Sequence, residues 1–251
     1  MARIGWDQLI DRTYRTGVDH AVLFVADSNG VNGYAPGVAW NGMISVTEQS
    51  SGAEPTKVYA DNKTYLTLLS QEEFGATIEV YQYPKAFQKC KGTVEFVDGG
   101  YIEQQPHKSF CLSYRSKIGN ALFGETGYEI HIIYGCLLST FERAHNTITD
   151  TVEPATFSIQ VSTTPVSLRI NGQDYKPTSH ITINGPELPS AALKEIEKAL
   201  YGDPNGPDIS YLPTPTQIYN MIINNQNYLL DCNGIYLQDC YGRFLCYHTE
   251  V

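Results

Sequence analysis

The chain is expected to fold as a mainly β protein, an antiparallel β-sandwich or barrel with a flanking α-helix, and three observations predict it. Apolar residues alternate with polar ones over several short segments between Asp19 and Asn184, the two-residue period of a strand with one buried face. Gly- and Asn-bearing turns separate these segments at short intervals, which suits antiparallel strands better than the long crossovers of a parallel sheet. The composition agrees: 42% hydrophobic residues, only 18% charged residues and 18 Tyr fit half-buried sheet surfaces better than charge-rich helices. With 251 residues the chain can bury a sizeable core, and the even composition favours one main domain.

The strands follow from the pattern one by one. His20 to Ala26 is apolar at successive positions and reads as a strand buried on both faces. Phe110, Leu112, Tyr114 and Ile118 alternate with Cys111, Ser113, Arg115 and Lys117, which predicts one buried and one wet face. Tyr128, Ile130, Ile132 and Tyr134 alternate with Glu129, His131 and Ile133, and the same reading leaves His131 as a solvated or interface imidazole. Phe157, Ile159 and Val161 alternate with Ser158, Gln160 and Ser162, and Val166, Leu168 and Ile170 repeat the pattern before an Asn171-Gly172 turn.

Two helices are expected late in the chain. The first takes Ser190 as its N-cap, places Leu193, Ile196 and Leu200 on one face and closes at Gly202. The second opens on Thr214-Pro215-Thr216-Gln217, a capping box with proline at the first helical position, turns Ile218, Met221 and Ile222 inward and ends near Asn224. Beyond it, turns at Asn233-Gly234 and Tyr241-Gly242 separate short apolar runs, so residues 224–251 read as a small β-meander appended to a main domain of residues 1–223.

Charge and cysteine usage exclude some classes. The 17 basic and 27 acidic side chains give a net charge of −10, which disfavours tight wrapping on nucleic acid, where Lys and Arg must neutralise phosphates. The N-terminus has no apolar run of signal-peptide length and no segment is long enough to span a bilayer, so no membrane association is expected. The six Cys, at 90, 111, 136, 232, 240 and 246, have no compact disulfide spacing and are expected to be reduced.

No catalytic or cofactor template stands out. Gly99-Gly100 and the glycines at 202 and 206 have turn chemistry without the Lys-Ser/Thr ending of a phosphate loop. Cys232, Cys240 and Cys246 with His248 lack the short pair spacing of a zinc knuckle, and cysteine on a meander is more simply a small apolar packing residue. No Ser lies in a Gly-x-Ser-x-Gly elbow. Glu72 and Glu73 are adjacent, and neighbouring residues on a strand point to opposite faces, so they cannot act as a carboxylate pair there. The expectation is therefore no catalytic residue, no cofactor and no metal site.

The stretch 46–84 is the most informative part of the chain. It joins apolar elements through a long, polar, acidic connection without apolar periodicity of its own, and such a segment belongs in a binding or assembly role. Its Gly, Ser, Pro and charged content predicts that residues 50–67 become ordered only against a neighbouring molecule.

A series of motifs in order then resembles the major tail tube proteins of long, non-contractile bacteriophage tails. They are Ile4-Gly-Trp-Asp-Gln-Leu, Thr16-Gly-Val-Asp-His-Ala-Val-Leu, Gly37-Val-Ala-Trp-Asn-Gly-Met, Gly52-Ala-Glu-Pro, Tyr59-Ala-Asp-Asn-Lys-Thr-Tyr-Leu and Glu73-Phe-Gly-Ala-Thr-Ile-Glu. Further on come Gly127-Tyr-Glu-Ile-His-Ile-Ile-Tyr-Gly, Phe157-Ser-Ile-Gln-Val-Ser-Thr-Thr-Pro, Lys176-Pro-Thr-Ser-His-Ile-Thr-Ile, the helix from Leu193 to Gly202 and Leu212-Pro-Thr-Pro-Thr. The likeness covers roughly residues 1–223, up to the end of the second helix signal.

The resemblance implies a structural virion protein, a β-barrel subunit that closes into hexameric rings, with rings stacked into a tube that conducts DNA during ejection. It implies an inter-ring loop near residues 46–72, with Glu54, Tyr59, Asp61, Asn62 and Tyr65 as contact candidates. The implied partners are other copies of the chain, a tape measure protein and tail-end proteins, with double-stranded DNA passing through the lumen without specific binding. Assembly would take place in the bacterial host cytoplasm. Two other classes fit the composition: a carbohydrate-binding or adhesion β-sandwich, whose tyrosines would stack on sugar faces, and a hydrolase with a loop-built site.

Overall fold

The computed structural model describes residues 12–225 apart from 53, 71, 146, 148–153, 171 and 204–205. Its strands are β1 (Thr13–Val31), β2 (Val38–Ala39), β3 (Met43–Gly52), β4 (Pro55–Ala60), β5 (Lys63–Leu69), β6 (Glu72–Val80), β7 (Val94–Val97) and β8 (Gly100–Ile102). There follow β9 (Phe110–Asn120), β10 (Gly124–Arg143), β11 (Phe157–Thr163), β12 (Val166–Ile170), β13 (Gln173–Thr178) and β14 (His180–Asn184), then α1 (Ser190–Tyr201) and α2 (Pro215–Asn224). Every strand pair is antiparallel. The meander expected after residue 224, the motif at residues 4–9, and Cys232, Cys240, Cys246 and His248 lie outside the described residues.

The main sheet has eight strands in the order β2-β1-β9-β10-β11-β6-β3, with β14 also paired to β10. β3 comes back beside β1, so the sheet curls toward a barrel. Its interior is filled from all sides: Leu23 from β1, Ile78 and Val80 from β6, Phe110 and Leu112 from β9, Ile133 from β10 and Ile159 from β11 are all buried in one cluster. Trp40 closes this core with its ring 4.8 Å from that of Phe87, while its Nε1 donates to the Gln82 carbonyl at 2.9 Å. The indole thus buries its apolar body and still satisfies its one polar atom.

A second cluster lies on the outer face of β1, β9, β10 and β14, where Phe24, Cys111, Ile130, Ile132, Tyr134 and Ile183 meet α1 and α2. The helices bury Ile196 and Leu200, and Ile218 and Met221, on the stripes their periodicity predicts. The Thr214 to Gln217 capping box is present, and Gly202 closes α1 at a φ of 81°. The start of α1 differs from expectation by one residue: Pro189 is the N-cap, Ser190 is the first helical residue, and no side-chain cap bond forms.

Burial on both faces corrects the reading of one wet face for β9 and for the middle of β10. Several of the polar residues there are paired rather than solvated, while Ser113 Oγ is buried without a hydrogen-bond partner. Arg115 Nε donates to Asp19 at 3.0 Å and its guanidinium lies 4.4 Å from the Tyr128 ring centroid. Where no helix covers the sheet, on β11, the expected alternation of buried and open residues holds.

The expectation that the stretch 46–84 is a polar connection without regular structure of its own is also corrected. β3 runs to Gly52 and pairs with β6 from Glu72 onward, and between them β4 and β5 form a two-stranded ribbon of their own. Asp61 and Asn62 both have positive φ, 50° and 58°, the conformation of a two-residue I′ hairpin turn. The stretch is a β-arm where an unstructured loop was expected, because its Thr, Val, Tyr and Leu residues favour extended backbone even without a buried face.

β10 changes neighbours along one edge, pairing β14 through residues 129–133 and β11 through residues 136–143. Gly135 sits at the changeover with a φ of 59°, its carbonyl accepts from Thr164 N at 3.0 Å, and a Cβ there would stand 2.3 Å from the Thr164 carbonyl oxygen. Gly135→Ala is therefore expected to lower stability by about 2 kcal/mol or more, combining left-handed strain with the clash. Urea unfolding checks it, and an unchanged midpoint contradicts the role given to this glycine.

Candidate functional surfaces and a buried polar cluster

The arm is exposed along its whole length. Every residue of β4 and β5 is exposed, including large apolar side chains. Val58 stands opposite Leu66 and Thr56 opposite Leu68, while Tyr59, Tyr65 and Leu69 are 66%, 72% and 71% exposed. A two-stranded ribbon is marginal by itself, and contiguous apolar side chains on an open surface mark an interaction site. At roughly 3.3 Å per residue the ribbon reaches about 20 Å beyond the β3–β6 ladder.

Four of the five contact candidates converge here: Asp61 and Asn62 make the turn, with Tyr59 and Tyr65 beside it. Glu54 does not join them, because it lies just before β4 at the opposite end of the ribbon. Val58, Leu66, Leu68 and Leu69 are the residues that sequence reasoning missed. The available signal was a run of β-favouring residues on either side of Asp61-Asn62. A second hairpin, β7–β8, also exposes apolar side chains, with Phe96 at 65%, and turns at Gly99, a hairpin glycine rather than part of a phosphate loop.

The outer face of β3, β6 and β11 is open and polar. Register places Ser45, Glu79 and Ser158 in one row, Thr47, Thr77 and Gln160 in the next, and Gln49, Gly75 and Ser162 in a third. The rows carry Glu79 and no Lys or Arg. A cleft of about 240 Å³ opens on this face, lined among others by Gln49, Ser51, Thr77, Gln160 and Ser162.

Side chains with chemistry to offer meet at the root of the arm, in a place the sequence did not indicate. His131, only 9% exposed, lies in a row of rings, 4.8 Å from Tyr114 and 5.6 Å from His180, with Phe74 beyond at 4.9 Å from His180. The expectation of a solvated or interface imidazole is thus overturned, because β3 and β14 bring covering side chains over that face of β10. Glu48 of β3 accepts from the Tyr114 hydroxyl at 2.5 Å, and its Oε1 lies 3.4 Å from His131 Nδ1 and 3.5 Å from His180 Nε2. His131 Nε2 is 2.8 Å from Ser116 Oγ. Burial lowers the pKa of both imidazoles, partly opposed by the Glu48 charge. Glu48, His131 and His180 could together hold a metal ion.

The Ser116 hydroxyl stands at hydrogen-bond distance from His131, and that imidazole is buried, stacked between the rings of Tyr114 and His180. The described cysteines, Cys90, Cys111 and Cys136, are free and buried, and burial pushes the thiols of Cys90 and Cys111 up to about 12 and about 11. They are therefore protonated, inert packing residues. Glu72 and Glu73 open β6 as successive, exposed strand residues. No described helix is long and apolar enough to cross a membrane.

No protein-family model and no curated protein matches the chain. Solved structures similar to it include a chain of the anti-feeding prophage baseplate, determined by cryo-electron microscopy with six-fold symmetry. That chain is 8% identical, with a TM-score of 0.34 and a match covering 72% of this chain and 97% of the other. Another is a chain of the extended sheath-tube complex of an extracellular contractile injection system, 10% identical with a TM-score of 0.28, covering 65% and 89%. Superpositions this loose assign no function to the present chain.

Beside the cluster, Glu129 is nearly buried, its side chain 6% exposed, and it accepts two bonds of 2.7 Å from Arg15. The Arg15 hydrogen bonds hold the Glu129 pKa below its ordinary value despite burial. Arg15→Ala strands this carboxylate and is expected to cost about 1–3 kcal/mol, mostly from the unpaired buried charge rather than the exposed arginine. Denaturant unfolding measures it. A further Glu129→Gln change should recover part of the loss, and an unaltered midpoint for Arg15→Ala contradicts the assignment.

Proposed function

We propose that the chain is the structural subunit of a phage-type tail tube, with residues 1–223 forming the tube domain and residues 224–251 an appended extension. Copies close into six-membered rings, rings stack, and the hollow tube conducts double-stranded DNA. The observation that carries this reading is the β4–β5 arm, which exposes Tyr59, Tyr65, Leu66, Leu68 and Leu69 on a ribbon that needs a neighbour to cover it. Stacked rings supply that neighbour by a repeating head-to-tail contact. Tyr59, Asp61, Asn62 and Tyr65 at the tip would meet the next ring, and Glu54 would serve at the arm's root.

The ordered sequence motifs of the tail tube proteins support the same reading. So does the cation-free face of β3, β6 and β11, which would line the channel: without Lys or Arg to neutralise phosphates, DNA releases few counterions there and slides without sticking. The protein would act without catalysis in the virion tail, together with a tape measure protein and tail-end proteins.

Replacing residues 55–69 by a short Gly-Ser turn tests the reading. The variant is expected to keep the far-ultraviolet circular dichroism of a folded β protein and to form rings at most in negative-stain microscopy, whereas the full chain forms tubes. Long tubes from the variant would contradict the role of the arm.

A further inference from the structure

We propose that Glu48, His131 and His180 form a binding site for one divalent transition-metal ion of the zinc class, tying the root of the arm to β10 and β14. The three residues come from three different strands, and each presents a ligand atom within 4.8 Å of the other two. The Glu48 oxygen is 3.4 Å from His131 Nδ1 and 3.5 Å from His180 Nε2. Two ligands each about 2.0–2.1 Å from a tetrahedral ion stand about 3.4 Å apart. Two edges of the coordination polyhedron are therefore already at length.

A second, independent observation points to an occupant. His180 Nε2 is buried and has no hydrogen-bond partner, although it faces the Glu48 carboxylate. Buried polar atoms are nearly always satisfied, and an imidazole nitrogen left bare beside a carboxylate has the position of a metal ligand. The surroundings fix the other ligands as outer groups of metal sites do. Ser116 Oγ engages His131 Nε2, Thr182 Oγ1 lies 3.4 Å from Nδ1 in a long contact that an ion would replace, and the Tyr114 hydroxyl orients Glu48. Two imidazoles and one carboxylate suit zinc or its neighbours, and the set lacks the oxygen ligands that calcium or magnesium requires.

One adjustment is needed. An ion lies in the plane of each imidazole it binds, and the two rings are 7° from parallel with centroids 5.6 Å apart. His180 would have to turn out of its stack with His131 and Phe74 to aim Nε2 at the ion, and no hydrogen bond at that atom opposes the turn. The site would fix the direction in which the arm leaves the barrel. It stands whether or not the chain builds a tube.

The test uses the full chain, stripped with a chelator and titrated with Zn²⁺ and separately with Co²⁺. Calorimetry should show one site lost in His180→Gln and in Glu48→Gln, and bound Co²⁺ should give visible bands without the intense thiolate charge-transfer absorption of a cysteine site. Excess Zn²⁺ should raise the thermal midpoint of the parent chain by several degrees and leave that of His180→Gln unmoved. The proposal is overturned if no ion binds, if a thiolate spectrum appears alone, or if the variants bind like the parent. Circular dichroism establishes that the variants fold. Should Glu48→Gln fail to fold, the Co²⁺ spectrum of the parent and the His180→Gln titration still decide.

Discussion

Strand β9 and the middle of β10 are buried on both faces, and the rest of the molecule is arranged around that constraint. On the inner side, Phe110, Leu112 and Ile133 fill the curled sheet; on the outer side, Cys111, Ile130, Ile132 and Tyr134 meet the helices. Burying two faces of one pair of strands removes more apolar surface than a one-sided sheet can, and it leaves the interior rigid. That rigidity lets β3 and β6 run outward as a paired ladder and hold the ribbon of β4 and β5 clear of the barrel. The same packing places Glu48 of β3 over His131 of β10.

Several elements were legible in the sequence for plain reasons. The capping box at Thr214 and the glycine at 202 are local signals, and the structure has both helices where those signals place them. Phe157, Ile159 and Val161 alternate cleanly because β11 has an open outer face. For β9 and β10 the pattern misled, since Arg115, Glu129 and His131 look like surface residues but are buried or half-buried with partners from distant strands. A single strand's alternation carries no information about a salt bridge to β1 or a carboxylate on β3. The cluster of Glu48, His131 and His180 was hidden for the same reason, its members being brought together only by the pairing of β10 with β14 and the return of β3.

The arm was misread in a more instructive way. Its position was legible from polarity, and its secondary structure was missed because a ribbon exposed on both faces shows no buried period. Tyr59 and Tyr65 were singled out, while Val58, Leu66, Leu68 and Leu69 were passed over among the threonines and lysines. Their exposure gives the arm its character, since the ribbon then carries more apolar surface than an isolated hairpin can bury.

The central claim is that the arm is an element whose stability comes from a neighbouring copy. Hydrogen exchange followed by mass spectrometry, on dispersed subunits and on assembled material, tests this most directly. Amides of residues 55–69 should exchange rapidly in the subunit and become strongly protected on assembly, while those of β9 and β10 stay protected throughout. Equal protection of the arm in both states, or an arm that still exchanges freely in the assembly, would contradict the account.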